Sequence, residues 1–308
     1  MSYISKYTLF LLCSWVLLWS CQSPDKDPNT AGTASEAQNH DQSGKNSFKV
    51  WVKNTQPLIS AHRGGPYPGF PENALETFQN IVDKIPLVVI ECDVSMTKDS
   101  VLILMHDKTL DRTTTGSDNV NDKTYTELTD LLLIDNEGDT TSFHIPTLNE
   151  ALEWGKDKVL FTLDVKRGVP FDRVVTTIEK LDATPYAAII TYNMEDAKLV
   201  HSLNQEIIIS VSAGDDGAIN QIIKSDIPGS SLLGFVGTRE PDATHYNKLQ
   251  ELGIKTILGT LGNLDKSAVA KGDDSVYASY VSNGANIIAT DRPLEVARVI
   301  GKPLSSNR

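Results

Sequence analysis

The chain has 308 residues, 40% of them hydrophobic and 22% charged, with 20 glycines and 14 prolines; that mixture is too apolar for a disordered protein and too poor in glycine and proline for a fibre. Lys and Arg number 28 against 40 Asp and Glu, a formal charge of −12, which offers no electrostatic footprint for a nucleic-acid backbone. Three cysteines, Cys13, Cys21 and Cys92, with no CxxC among them, exclude a disulfide framework and a zinc finger.

Met1–Ser20 carries one charge, Lys6, ahead of the apolar run Tyr7–Trp19. That run is short of the ~20 residues a membrane-spanning helix needs. A charged start, a short greasy centre and a small residue before a cut are the marks of a secretory signal, expected here over residues 1–20. Leu18-Trp19-Ser20-Cys21 resembles a bacterial lipobox, whose cysteine is acylated after cleavage. Cys21 is therefore the expected lipidation site, and the protein an exported bacterial membrane lipoprotein facing the periplasm or the surface. The competing readings are an ordinary signal peptide before a chance cysteine and an uncleaved anchor. Gln22–Ser47 contains no aliphatic side chain larger than Ala, so residues 21–56 read as the lipidated cysteine and a flexible tether. Such a tether reaches about 25–30 Å.

From Pro57 the pattern alternates. Short apolar runs recur at Leu58–Ala61, Leu87–Val94, Val101–Met105, Val159–Val165, Ala187–Thr191, Ile207–Val211, Leu232–Val236, Ile254–Leu258 and Ile287–Ala289. Stretches of helical spacing lie between most of them. Ala74, Phe78, Ile81, Val82 and Ile85 share one face, with Pro71-Glu72 suited to a helix start. Continuous Val/Ile/Leu strands alternating with helices imply a parallel sheet covered on both faces. Residues 57–301 are close to the ~250 typical of a β/α barrel, and no glycine-rich phosphate turn follows the first strand as an open doubly wound sheet would want. The expected fold is thus α/β, an eight-stranded parallel β/α (TIM) barrel. Asp107–Pro146 is far longer than a βα loop, so it reads as a small insertion after the second strand unit.

Chemistry in such a barrel sits at the C-terminal ends of its strands. The first run ends in His62-Arg63-Gly64-Gly65; the second carries Glu91 and Asp93, two apart and so on one face; the third ends in His106-Asp107; a later one carries Asp164 and Lys166. Carboxylates facing one another on an apolar strand repel unless a cation lies between them. Oxygen donors with room for water suit Ca²⁺ or Mg²⁺ rather than Zn²⁺. An oxygen-bound divalent cation beside Arg and Lys is a device for phosphate esters. Cys92 faces away from Glu91 and Asp93 by alternation and reads as packed and inert.

His62-Arg63-Gly64, Pro71-Glu72-Asn73, Glu91-x-Asp93, His106-Asp107 with Leu110 and Arg112-Thr113-Thr114, and Ile145-Pro146-Thr147-Leu148 resemble, in order and spacing, the glycerophosphodiester phosphodiesterase family. Ile288–Pro293 looks like its last strand end. The resemblance implies roles: His62 and His106 as general acid and base, Glu91, Asp93 and Asp164 as ligands of one Ca²⁺ or Mg²⁺, Arg63 and Lys166 on the substrate phosphate, and Glu72 in support. It implies hydrolysis of a small-molecule glycerophosphodiester to glycerol phosphate and an alcohol. It leaves open whether the glycerol hydroxyl or water attacks phosphorus first.

Two positions depart from the family pattern. Asp164 stands where Glu is more common, and Thr256–Gly262 lacks the usual Trp-Thr-Val-Asn-like sequence, so the pocket wall there differs. That departure motivates a second reading, a related phosphodiesterase acting on a phosphoinositol- or sphingolipid-type headgroup. A third reading is a surface binding lipoprotein without turnover. Asp107, Asp291 and Arg292 are expected to orient loops, and His40, His144, His201 and His245 receive no role.

Overall fold

The computed structural model describes residues 47–54 and 56–301, so the expectations for residues 1–20 and for Cys21, with most of the tether, lie outside the described residues. Helix α1 (Phe48–Trp51) precedes β1 (Leu58–Ala61), α2 (Leu75–Val82) and β2 (Val89–Met96). An excursion follows, with β3 (Leu102–Leu104), α3 (Tyr125–Leu128), β4 (Leu132–Ile134) and β5 (Thr140–His144), before α4 (Leu148–Gly155) returns to the barrel. Alternation then resumes: β6 (Leu160–Val165), α5 (Phe171–Lys180), β7 (Ala187–Ile190), α6 (Met194–Leu203), β8 (Ile209–Ser212) and α7 (Asp216–Ile223). It closes with β9 (Leu232–Phe235), α8 (Ala243–Glu251), β10 (Lys255–Gly259), α9 (Asn263–Lys271), α10 (Val276–Asn283), β11 (Ile287–Thr290) and α11 (Pro293–Ile300).

Eight of these strands, β1, β2 and β6–β11, form a closed parallel barrel. Closure is at β1, which pairs with β11 through Leu58↔Ile287 and with β2 through Ser60↔Val89. Strands β1 and β6 are buried along their whole length, as strands sandwiched between a barrel interior and a coat of helices must be. Helices start where side chains replace missing backbone partners: Thr147, Asn193, Asp215 and Asp242 each accept an amide N–H from the first turn. Each such cap is worth about 1 kcal/mol.

Two expectations are corrected. Val101–Met105 supplies no barrel strand, because β3 runs antiparallel to the far end of β2, with Val94↔Leu104 and Met96↔Leu102 as partners. Only five residues link β2 to β3, and a parallel return needs a crossover of about a dozen or more. The excursion from the barrel thus begins at the end of β2, before Asp107. Secondly, α2 begins at Leu75, and Pro71, Glu72 and Asn73 lie in the loop ahead of it. Asn73 has φ +60°, which no helix accommodates.

The excursion has its own small core of Ile103, Met105, Leu110, Val120, Leu128, Leu133 and Ile145, packed on Ala74. It is fastened to the rim of the barrel by the Gly69 amide, which donates to Asp135 at 2.6 Å, and by Phe70 against Phe143, ring centroids 6.5 Å apart. A rigid platform therefore presents the residues that follow β3.

Candidate active site

His62 and Arg63 leave β1 in a single tight turn, His62–Gly64, in which Arg63 has φ +53°. A non-glycine residue in the left-handed region is strained and needs to be held. Here the Arg63 amide donates to Glu91 Oε2 at 2.7 Å and its carbonyl accepts from the Asn73 amide at 2.9 Å. Gly64 follows at φ +85°, and a Cβ there would overlap the Phe78 ring, so the glycine is required twice over.

Strands β2 and β6 pair in a register that sets Asp93 directly beside Asp164 and Glu91 beside Thr162. The result is a carboxylate cluster: Glu91, Asp93 and Asp164 each place an oxygen within 4.8 Å of the others. All three are nearly or fully buried. Burial first, and then the charge of Asp93, pushes the Glu91 carboxyl up to about 8. Asn73 braces the cluster, donating from Nδ2 to Asp93 Oδ2 at 2.7 Å while its Oδ1 accepts the Asp93 amide at 3.0 Å. Lys166 places its ammonium between Asp93 Oδ1 and Asp164 Oδ2, 2.6 Å from each. Sequence had set Lys166 on the phosphate; its contacts here are with the two acids.

Whether these residues fit a divalent cation is answered by their donors. With all three carboxylates ionised, the cluster and its one ammonium carry a charge of minus two, which a divalent cation cancels. Among the described residues Asp164 Oδ1 is buried with no hydrogen-bond partner, an orphaned lone pair. An all-oxygen donor set belongs to Ca²⁺ or Mg²⁺. The residues fit.

His106 reaches the mouth through the β2–β3 hairpin, since the Met105 amide bonds back to the Asp93 carbonyl at 2.9 Å. A closed ring of charges then holds it. His106 Nδ1 lies 2.6 Å from Asp107 Oδ1, Asp107 Oδ2 accepts Arg112 Nε at 2.6 Å, and Arg112 binds both oxygens of Glu72 at 2.8 and 2.9 Å. Glu72 in turn accepts Arg63 Nη1 at 3.1 and 3.2 Å, and Arg63 Nη2 lies 2.8 Å from His106 Nε2. The Arg112 guanidinium first, and His106 after it, hold the Asp107 carboxyl well below the usual carboxylate range, so it stays ionised. An arginine can only donate. His106 Nε2 must then accept, which assigns the ring proton to Nδ1, facing Asp107.

His62 is arranged differently. Its Nδ1 lies 2.7 Å from Asp291 Oδ1, at the end of β11. Burial alone would lower the imidazole's proton affinity, but the Asp291 hydrogen bond and the charges of Glu91 and Asp291 outweigh it and raise the pKa above 6.5. His62 therefore holds its proton to higher pH than a free imidazole does.

A cavity of about 190 Å³ opens over the barrel axis between His62, Glu91 and Asp164. Ser60, Thr162 and Ser210 line it with hydroxyls, while Tyr192, Phe235, Ile257 and Leu261 supply apolar wall. Ile257 and Leu261 come from Thr256–Gly262, the segment expected to differ from the family pattern, and both line the cavity. Tyr192, 68% exposed, stands at the mouth beside Asp164.

All eight barrel residues singled out in the sequence therefore meet at one end of the barrel. Asn73, Arg112 and Tyr192 were not singled out. Asn73 and Arg112 lay inside motifs already quoted, and only their partners show what they do; nothing in the sequence marked Tyr192.

A β/α barrel with an oxygen-donor cation cluster, two imidazoles and a paired arginine at its mouth belongs to the class of barrels equipped for phosphate esters. The model of the glycerophosphoryl diester phosphodiesterase family matches residues 62–265. A glycerophosphoryl diester phosphodiesterase from Parabacteroides distasonis, known from its crystal structure, superposes with a TM-score of 0.78 at 33% identity, covering 85% of this chain and 94% of that one. The chain belongs to this family. A glycerophosphodiester phosphodiesterase of Caldanaerobacter subterraneus is 35% identical over 149 residues, 48% of this chain and 58% of that enzyme, so the match spans little more than half of its length. An Oleispira antarctica phosphodiesterase, solved with its product sn-glycerol-3-phosphate, shares the fold at 18% identity and a TM-score of 0.63, over 82% of this chain and 99% of that one.

Proposed function

We propose that the protein hydrolyses glycerophosphodiesters to glycerol phosphate and an alcohol, with one divalent cation held by Glu91, Asp93 and Asp164. The observation that carries this reading is the convergence of that carboxylate cluster, Arg63, His62 and His106 at one end of the barrel. Family membership and the product-bound Oleispira relative support it.

The cation, when bound, supplies positive charge that polarises the phosphoryl group. The chain's own groups do the rest. Arg63 binds a phosphoryl oxygen with the guanidinium that Glu72 holds in place. Its transfer to phosphate frees His106 Nε2 to accept the proton of the attacking hydroxyl. His62 gives a proton to the departing oxygen and is kept in line by Asp291. Lys166 keeps Asp93 and Asp164 from repelling one another. A general acid or base of this kind is worth about 10²–10⁴-fold.

The test is release of glycerol phosphate from a panel of glycerophosphodiesters by residues 48–308, with and without chelator, in wild type, His106→Ala and Glu91→Ala. Chelator and both substitutions should each abolish most of the turnover in folded protein. Unchanged turnover in either variant removes that residue from the mechanism. A panel extended to phosphoinositol- and sphingolipid-type diesters tests the second reading, which the apolar Ile257 and Leu261 wall motivates. A chain without turnover on any diester would favour the binding-lipoprotein reading, against which the paired histidines weigh.

We propose further that Cys21 carries the lipid anchor. Radiolabelled palmitate should enter the wild-type chain in a bacterial host and be absent from Cys21→Ala. Equal labelling would remove the anchor.

A further inference from the structure

Helix α9, which follows the divergent segment of β10, is joined to the site through Asp265. This carboxylate is 3% exposed and is not one of the three in the carboxylate cluster. It is fully engaged: Oδ1 accepts the Tyr277 hydroxyl at 2.8 Å, while Oδ2 accepts the Thr290 hydroxyl and the Asp291 amide, both at 2.9 Å. The same helix start also reaches the other end of Asp291, since the Gly262 amide points at Asp291 Oδ2 at 3.3 Å. Asp291 is therefore gripped from both sides by one turn of chain, at its backbone by Asp265 and at its free carboxylate oxygen by Gly262. Its remaining oxygen is the one that meets His62 Nδ1.

We propose that Asp265 is a positioning residue for the reaction, acting through Asp291 to hold His62 in line for proton transfer. This rests on the role given to His62 above. Thr290 and Asp291 form the turn at the end of β11, and the direction of the Asp291 side chain is set by that turn's backbone. Asp265 binds the amide of Asp291 and the hydroxyl of Thr290 together, so it fixes the turn at two successive residues. Thr290 is pinned again by the Arg292 amide, which donates to its Oγ1 at 3.0 Å. Burying a carboxylate costs free energy, and an amide at position 265 would satisfy the Asp291 amide with one oxygen only. The Thr290 and Tyr277 hydroxyls would then have to rearrange around the amide nitrogen, loosening the turn without emptying the site.

The experiment compares Asp265→Asn and Asp265→Ser, each in wild type and in an Asp291→Ala background, with His62→Ala alongside. Turnover is split into kcat and KM, and the ¹⁵N shifts of the His62 ring report its hydrogen bond to Asp291. We expect Asp265→Asn to lower kcat about ten- to a hundredfold with KM little changed, and to move the His62 Nδ1 signal. In the Asp291→Ala background the same change should cost nothing further, because its route is already cut. An unchanged kcat, or an equal loss in both backgrounds, would overturn the proposal; so would failure of both Asp265 variants to fold, which would assign the residue to stability alone. If instead His62→Ala turns over like wild type, the acid role of His62 is what fails.

Discussion

The two imidazoles differ in their partners, and the roles proposed for them follow from that difference. His106 Nε2 faces an arginine that cannot accept a proton, whereas His62 Nδ1 faces the carboxylate of Asp291. On the proposed roles, activity that needs protonated His62 is lost as pH rises through its raised pKa. Replacing Asp291 with Asn removes the hydrogen bond to a charge that offsets burial, so the alkaline limb of the kcat profile should move toward lower pH. A limb that stays in place would detach Asp291 from His62. Both histidines were legible in the sequence because short motifs carry them. Arg112 was not, since its work is done through two carboxylates, Glu72 and Asp107, that lie 40 and five residues away in sequence.

At the scale of elements, the link between β2 and β3 decides where His106 stands. The apolar run Val101–Met105 matched a barrel strand in composition, but its five-residue connection allowed only a hairpin, and that signal was present in the spacing. The barrel strands were legible because each is a continuous apolar run of the right length. The excursion was legible as an insertion only by its length, because its core is small and scattered over 40 residues. That core nevertheless carries the platform for His106, Asp107 and Arg112. Leu110, 1% exposed within it, should cost about 2–5 kcal/mol on truncation to Ala. Thermal melts should show that loss, and kcat should fall with it although Leu110 touches no substrate. Stability lost with kcat intact would show that the platform does not set the catalytic geometry. Gly64→Ala should be worse placed still, since it meets both a positive φ and the Phe78 ring.

For the whole molecule, the carboxylate cluster ties stability to pH. Glu91 holds its proton more tightly when folded, up to about 8, than the 4.5 of a free side chain. In that window the folded state binds more protons than the unfolded one, so stability of the cation-free protein falls as pH rises from about 4.5 toward about 8. A divalent cation that binds only the folded state reverses the trend. Melting temperatures with chelator should be lower at pH 8 than at pH 5, and added Ca²⁺ or Mg²⁺ should raise them more at pH 8. Equal shifts at the two pH values would mean that the ion binds elsewhere. The most direct examination of the site is anomalous diffraction from crystals soaked in Mn²⁺. One peak is expected within about 2.0–2.6 Å of oxygens from Glu91, Asp93 and Asp164, absent from crystals of Asp164→Ala. A peak away from these three side chains, or one that survives the substitution, would contradict the proposed cation site.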